Sequence, residues 1–178
     1  MHIEDLPLTG AKLITLPAPT DARGLFVKTF HDSTLHNSGI DFILKESCFS
    51  VSKRDVIRGM HFQTPPHQHS KIVFCPWGAI LDVIVDLRKG SPTFGKHVAH
   101  ELSAENHQAY FIPEGFAHGF KALTDDAMTY YLVSSEYCKE HDTGIRYDSI
   151  GLDWAVTEPI ISARDLSFVK LEDFHSPF

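Results

Sequence analysis

The chain has 178 residues, 43% of them hydrophobic and 22% charged, which suits one folded domain with a substantial core and excludes disorder as its main state. A formal net charge of -7 and a pI near 5.9 exclude general attraction to nucleic acid or an anionic membrane, so any anionic ligand must be held by locally placed arginines. Three cysteines, Cys48, Cys75 and Cys138, with no CxxC pair, argue against a disulfide framework or a cysteine-ligated zinc and for a reducing cytoplasm.

The opening MHIEDLPLTG lacks the basic start and apolar stretch of a signal peptide, and no run reaches membrane-spanning length. Residues 1–20 are polar apart from a short alternation over 12–16, which predicts an edge strand or an arm of the kind that pairs with a neighbouring subunit. Asp21-Ala22-Arg23-Gly24 is a turn, and an alternating strand is expected over 25–30. Arg23 stands at its mouth and, from this segment alone, reads as a solvated turn residue. Residues 31–39 have helical character, with Asp32 or Ser33 as the N-cap and Gly39 as the stop.

Beyond Phe42, runs rich in Val, Ile and Phe alternate with turn signals and predict strands over 42–52, 56–63, 71–76, 79–87, 97–102, 108–112, 116–123 and 128–134. With no helical pattern between them, they predict an all-β antiparallel sandwich or barrel. In 79–87, Leu81, Val83, Val85 and Leu87 share one face, and Ile80, Asp82, Ile84 and Asp86 the other, which suits a wall between a core and a polar cavity. The tail over 153–178 carries one helical turn near 162–166 and is expected to pack over the barrel mouth. The whole chain, 1–178, reads as a single domain.

Several residues are candidates for chemistry. His61 alternates with apolar neighbours, so it is either a general base or a hydrogen-bonded core histidine. Lys71 opens a strand and is either a snorkelling rim lysine or a fixed cation, with Asp82 as an available partner. His67-Gln68-His69 forms an HxH that raises the question of a metal, with His118 as a later ligand, but no carboxylate follows it over residues 70–77. Tyr130 and Tyr131 face opposite ways, so one can act as a cavity acid while the other packs outside. Arg58 suits phosphate or a structural ion pair, and Asp165 either orients a histidine or caps its helical turn.

The runs DARGLFVKTF, VIRGMHFQ, ILDVIVDLRKGSPTFGK, ELSAENHQAYFIPEGFAHGF, EHDTGIRYDSIGLDW and PIISARD resemble, in order, those of the dTDP-4-dehydrorhamnose 3,5-epimerase family. The resemblance implies a cupin-type jelly roll with a few short peripheral helices, and epimerisation at C3, C5 or both of a nucleotide-linked 4-keto-6-deoxy sugar through enolates. It further implies His61 as base, Asp165 as its orienting carboxylate, Lys71 as the cation beside the enolate oxygen and Tyr131 as the acid on the opposite face. Arg23, from a neighbouring subunit, and Arg58 would hold the diphosphate. Phe26, Glu46, Gln63, His118 and Tyr137 complete the expected substrate contacts. A cytoplasmic homodimer with an exchanged N-terminal arm, no cofactor and no metal is implied as well. Departures fall at Glu46, Cys48, Leu132 and Glu136 and in the approach TPPHQHSK, where nucleotide or sugar is held. The alternatives are a metal-dependent cupin oxygenase built on His67, His69 and His118, and a binding module without turnover.

Overall fold

The computed structural model describes all 178 residues. Strands β1 (His2–Asp5) and β2 (Lys12–Thr15) form a hairpin, β3 (Thr20–Asp21) and β4 (Gly24–Leu25) a smaller one, and helix α1 (Asp32–Asn37) follows. The main strands are β5 (Glu46–Ser52), β6 (Ile57–Gln63), β7 (Lys71–Trp77), β8 (Ala79–Asp86), β9 (His97–Ser103), β10 (Gln108–Ile112), β11 (Phe116–Ala122) and β12 (Ala127–Val133). A short β13 (Asp142–Gly144) and helix α2 (Ala163–Leu166) complete the set.

Two antiparallel sheets result, one of six strands in the order β1-β2-β10-β7-β12-β5 and one of five in the order β13-β6-β11-β8-β9. The sandwich expected from the strand spacing is therefore present, and its jelly-roll connections carry the chain repeatedly between the sheets.

Three apolar layers hold it together. Between the sheets, Val73, Tyr110 and Ile112 of one meet Ile80, Ile84 and Phe120 of the other. On the outer face of the six-stranded sheet, Ile14, Phe74 and Phe111 are covered by Leu35 of α1 and by Ile40 and Phe42. On the outer face of the five-stranded sheet, Val83, Val85 and Leu87 lie under Ile150, Trp154 and Phe174. The central strands β7, β8, β10 and β11 are thus buried on both faces, which is why they read as nearly continuous hydrophobic runs. Removing the Phe120 side chain, 1% exposed, would cost about 3–5 kcal/mol.

The mixed face of β8 behaves as its pattern suggested. Ile80 and Ile84 point into the middle layer and Asp82 sits fully buried between them. The C-terminal segment runs along the outside of the five-stranded sheet, where Phe174 and Phe178 pack edge-on against Phe62.

Some local expectations fail. Of the strand expected over 25–30, only Leu25 is in a strand, as the end of β4. The N-cap of α1 is His31 rather than Asp32 or Ser33, and its side chain bonds to Thr34 Oγ1 instead of to the helix backbone. β1 and β13 are polar and short, and exist only because they pair with β2 and β6. β2 pairs with β10 of its own chain, so residues 12–15 are already part of the sheet, while the β3–β4 hairpin projects with every residue of both strands exposed.

Candidate active site

One cavity of about 310 Å³ opens between the sheets, a size suited to a small organic ligand. Period-2 alternation builds its walls: Glu46, Cys48 and Ser50 of β5 line it, while Phe49 and Val51 between them face outward and are exposed. β6 supplies Arg58, His61 and Gln63, β7 Lys71, β11 His118 and β12 Tyr131.

β6 and β11 approach too closely for side chains at one crossing. A Cβ on Gly119 would stand 2.6 Å from Met60 Sδ and 2.8 Å from the Arg58 carbonyl oxygen. The register between the strands shifts there, after His61 and His118 have paired across the ladder. Two histidines thus enter the cavity side by side on adjacent strands.

His61 Nε2 lies 2.9 Å from Asp165 Oδ1, and the Gly59 N–H donates to Asp165 Oδ2 at 3.1 Å. Asp165 reaches this position because Ser162 caps α2, accepting from the Asp165 N–H at 3.0 Å. The capping reading of Asp165 is therefore replaced: its neighbour caps, and its carboxylate turns inward. Burial pushes that carboxyl up, but the bonds from His61 and the Gly59 amide outweigh it and hold Asp165 below the usual range. An ionised Asp165 accepts the Nε2–H and leaves Nδ1 of His61 as the basic atom.

Lys71 is buried, and its Nζ donates to the His61 carbonyl oxygen at 3.4 Å. Its expected partner Asp82 bonds instead to His118 Nε2 at 2.8 Å and acts on the lysine only through its field. Loss of hydration pulls the ammonium down to about 8, against the attraction of Asp142 and Asp82, so it is charged at neutral pH. In the Asp82–His118 pair, burial pushes the carboxyl up and the imidazole down. His69 also faces the cavity; burial, and then the Lys71 cation, lower it to about 3 and keep it neutral.

Tyr131 reaches the cavity, its hydroxyl 3.4 Å from Ser50 Oγ, and burial pushes the phenol up. Tyr130, on the opposite face, stacks between Phe74 and Phe49. At the rim, the Tyr137 N–H donates to Glu46 Oε2 at 2.9 Å, and Arg58 Nε donates to Ser52 Oγ at 3.0 Å. Gln63 lines the cavity, yet both ends of its amide are engaged by the protein: Nε2 donates to the His67 carbonyl oxygen and Oε1 accepts from the Cys138 N–H.

Arg23 and Phe26 lie outside this cavity in the single chain. Arg23 is 90% exposed and paired with Asp21, and Phe26 is 63% exposed. Sequence reasoning did not single out Asp142 and Arg164, which form an ion pair of 2.6 Å at the cavity wall. Arg164 directly precedes Asp165 in the quoted PIISARD run, so the signal was present there. His67 and His69 of the HxH part company: His67 gathers with Cys138 and His141, away from His69 and His118. The oxygenase ligand set therefore does not assemble.

A profile of the dTDP-4-dehydrorhamnose 3,5-epimerase family matches residues 5–173. The chain belongs to this family. A dTDP-4-dehydrorhamnose 3,5-epimerase of Methanothermobacter thermautotrophicus is 41% identical over 171 residues, covering 93% of this chain and 92% of the relative. The crystal structure of the family enzyme from Bacillus anthracis, with TDP and pyrophosphate bound, superposes with a TM-score of 0.92 at 35% identity, covering 95% of this chain and 98% of that one. The Legionella pneumophila enzyme in complex with dTDP-4-keto-L-rhamnose gives 0.93 at 32% identity, covering 98% and 94%. The epimerase fold of these relatives is the cupin-type jelly roll described above.

Proposed function

We propose that this epimerase-family protein inverts C3, C5 or both of a dTDP-linked 4-keto-6-deoxy sugar in deoxysugar biosynthesis. One observation carries the reading: the Asp165-bound His61, the buried Lys71 and Tyr131 converge on one cavity of small-molecule size. Hydrogens at C3 and C5 are both alpha to the C4 ketone. His61 Nδ1 takes one of them, and the electron pair moves into an enolate whose oxygen is stabilised by the Lys71 ammonium. Tyr131 returns a proton to the same carbon from the opposite face, so the centre inverts. The Asp165 carboxylate stabilises the imidazolium formed on the way. A positioned base contributes about 10²–10⁴ in rate and a preorganised charge about 10²–10³.

Arg58 supplies a cation for the diphosphate, and Glu46, His118 and Tyr137 border the space for the remaining sugar nucleotide. Gln63 acts on this reading by holding the rim segments together. A homodimer would complete the site. β5 is an edge strand with Phe49 60% and Val51 47% exposed, and the nearby Ile43 and Trp77 are exposed as well. The projecting β3–β4 hairpin then carries Arg23 and Phe26 across to the partner's cavity, which confines the arm exchange to that hairpin. A cytoplasmic setting accords with three free thiols and an activated sugar substrate; no helix is long and apolar enough to cross a membrane.

Incubation in heavy water with freshly made dTDP-4-keto-6-deoxyglucose, followed by NMR, should place deuterium at C3, C5 or both. No incorporation with this substrate or with its CDP and GDP counterparts would remove the proposal.

A further inference from the structure

The HxH motif leaves one residue without a role in the cavity. His67 lies on the turn that follows β6, where its N–H donates to the Thr64 carbonyl oxygen at 3.0 Å. It meets Cys138 and His141 from the segment before β13, and the three potential ligand atoms all lie within 4.8 Å of one another. The His67 and His141 rings are 4.6 Å apart between centroids.

Cys138 and His141 belong to a CxxH turn closed by the His141 and Asp142 N–H groups, which donate to the Cys138 carbonyl oxygen at 3.0 and 2.9 Å. This turn is docked against the first one: the Thr64 N–H donates to the His141 carbonyl oxygen at 3.0 Å. A fourth donor is present, since Glu140 Oε2 stands 3.5 Å from Cys138 Sγ. An outer partner is present too. Thr64 Oγ1 lies 2.8 Å from His141 Nδ1; a metal on Nε2 would place the proton on Nδ1, with the Thr64 hydroxyl as its acceptor.

We propose that His67, Cys138, His141 and Glu140 form a zinc site that clamps the rim of the cavity. Two imidazoles, one thiolate and one carboxylate are a donor set that Zn2+ takes in tetrahedral sites; the His67, Cys138 and His141 atoms already lie within 4.8 Å of one another, and Glu140 stands beside the thiol, so side-chain rotations would bring the four around one ion. Binding displaces the Cys138 thiol proton to solvent as the zinc–sulfur bond forms. The cysteine spacing argues against a cysteine-ligated zinc; the structure revises that expectation by supplying two histidines to a single cysteine. The clamp reaches the cavity in two ways: Tyr137 directly precedes Cys138, and the Gln63 amide hydrogen-bonds the backbone of both His67 and Cys138. The site is structural, takes no part in proton transfer, and stands on its own geometry whatever sugar the cavity accepts.

Tag-free full-length protein, stripped with chelator, would be titrated with Co2+ as a spectroscopic substitute and then with Zn2+. The wild type should take up Co2+ stoichiometrically with a thiolate-to-cobalt charge-transfer band, and Zn2+ should abolish that band. Cys138→Ser should lose the band, His67→Gln should weaken binding at least tenfold, and Thr64→Val by about 10–100-fold. Cys48→Ser should keep the band. Circular dichroism in the absence of metal reports whether each variant is folded, and His67→Gln carries the test if Cys138→Ser is not. A wild type without a thiolate band, or a band that survives Cys138→Ser, would overturn the proposal.

Discussion

Two carboxylate–histidine pairs enter the same cavity from neighbouring strands, and they are nearly identical in contact length: His61 Nε2 to Asp165 at 2.9 Å and His118 Nε2 to Asp82 at 2.8 Å. Their surroundings separate them. His61 is 28% exposed, and Asp165 is fed by a second donor, the Gly59 amide. His118 is 4% exposed, and Asp82 is fully buried with Oδ1 lacking any partner. Ionisation is therefore favoured in the first carboxylate and opposed in the second. On the proposed mechanism, the first pair accepts a proton from substrate and holds the resulting charge. The other is a buried polar brace beside Lys71. The same two residue types thus take different roles according to access to solvent and backbone donors.

That contrast can be broken most severely at the base. Asp165→Asn should leave the fold intact yet lower kcat/KM by up to about 10⁴-fold, because an amide no longer fixes the His61 tautomer or stabilises its cation. His61→Asn should cost about 10²–10⁴-fold. Both are read from rates of solvent deuterium incorporation, and Asp82→Asn measured alongside should lose far less. If the two Asp→Asn variants were equally impaired, the division between base and brace would be wrong.

Lys71 sharpens the comparison through pH. Its ammonium is present below about 8 and lost above it, so kcat/KM should fall on an alkaline limb near that value. In Lys71→Arg the cation persists at every accessible pH, and the limb should move upward although the maximal rate is lower. Lys71→Met should lose about 10²–10³-fold. An unchanged limb in the arginine variant would assign it to another group.

The smallest effect is expected at the brace. An amide at position 82 still accepts from His118, so Asp82→Asn should change stability by about 0.5–1.5 kcal/mol in urea melts at low pH, and because burial raises the Asp82 carboxyl in the fold, that cost should shrink as the pH rises above the ordinary carboxylate range. A cost that stays flat or grows with pH would mean that the Asp82 carboxyl is not raised in the native protein.

Most of the architecture was legible because it is local. Alternation with period two located the main strands within a few residues, and the helical turn near 162–166 was placed, although its cap is Ser162 rather than Asp165. The missing strands β1 and β13 have no hydrophobic period of their own and take their conformation from β2 and β6. The site was legible in part. The run VIRGMHFQ pointed to Arg58 and His61, and alternation showed that Tyr130 and Tyr131 face opposite ways, while the resemblance chose Tyr131 for the cavity. Asp142 and Arg164 were missed because an exposed polar strand end and an arginine on a short helix look like solvated surface until they are seen to meet.

By itself, the sequence determined the family, the all-β class and the side chains available for proton transfer, since all of these reside in short-range order and in motifs carried along the chain. Tertiary structure decided which histidine is paired with an ionised carboxylate, for Asp165 lies 104 positions from His61 and its carboxylate turns inward where Ser162 caps α2 against β6. It also withdrew Asp82 from Lys71 and gave it to His118, and it split the HxH, sending His69 into the cavity and His67 toward Cys138 and His141. The physical reason is common to all three. Charge state and partnership depend on burial and on donors brought from distant strands, and neither is written in the local pattern of a strand.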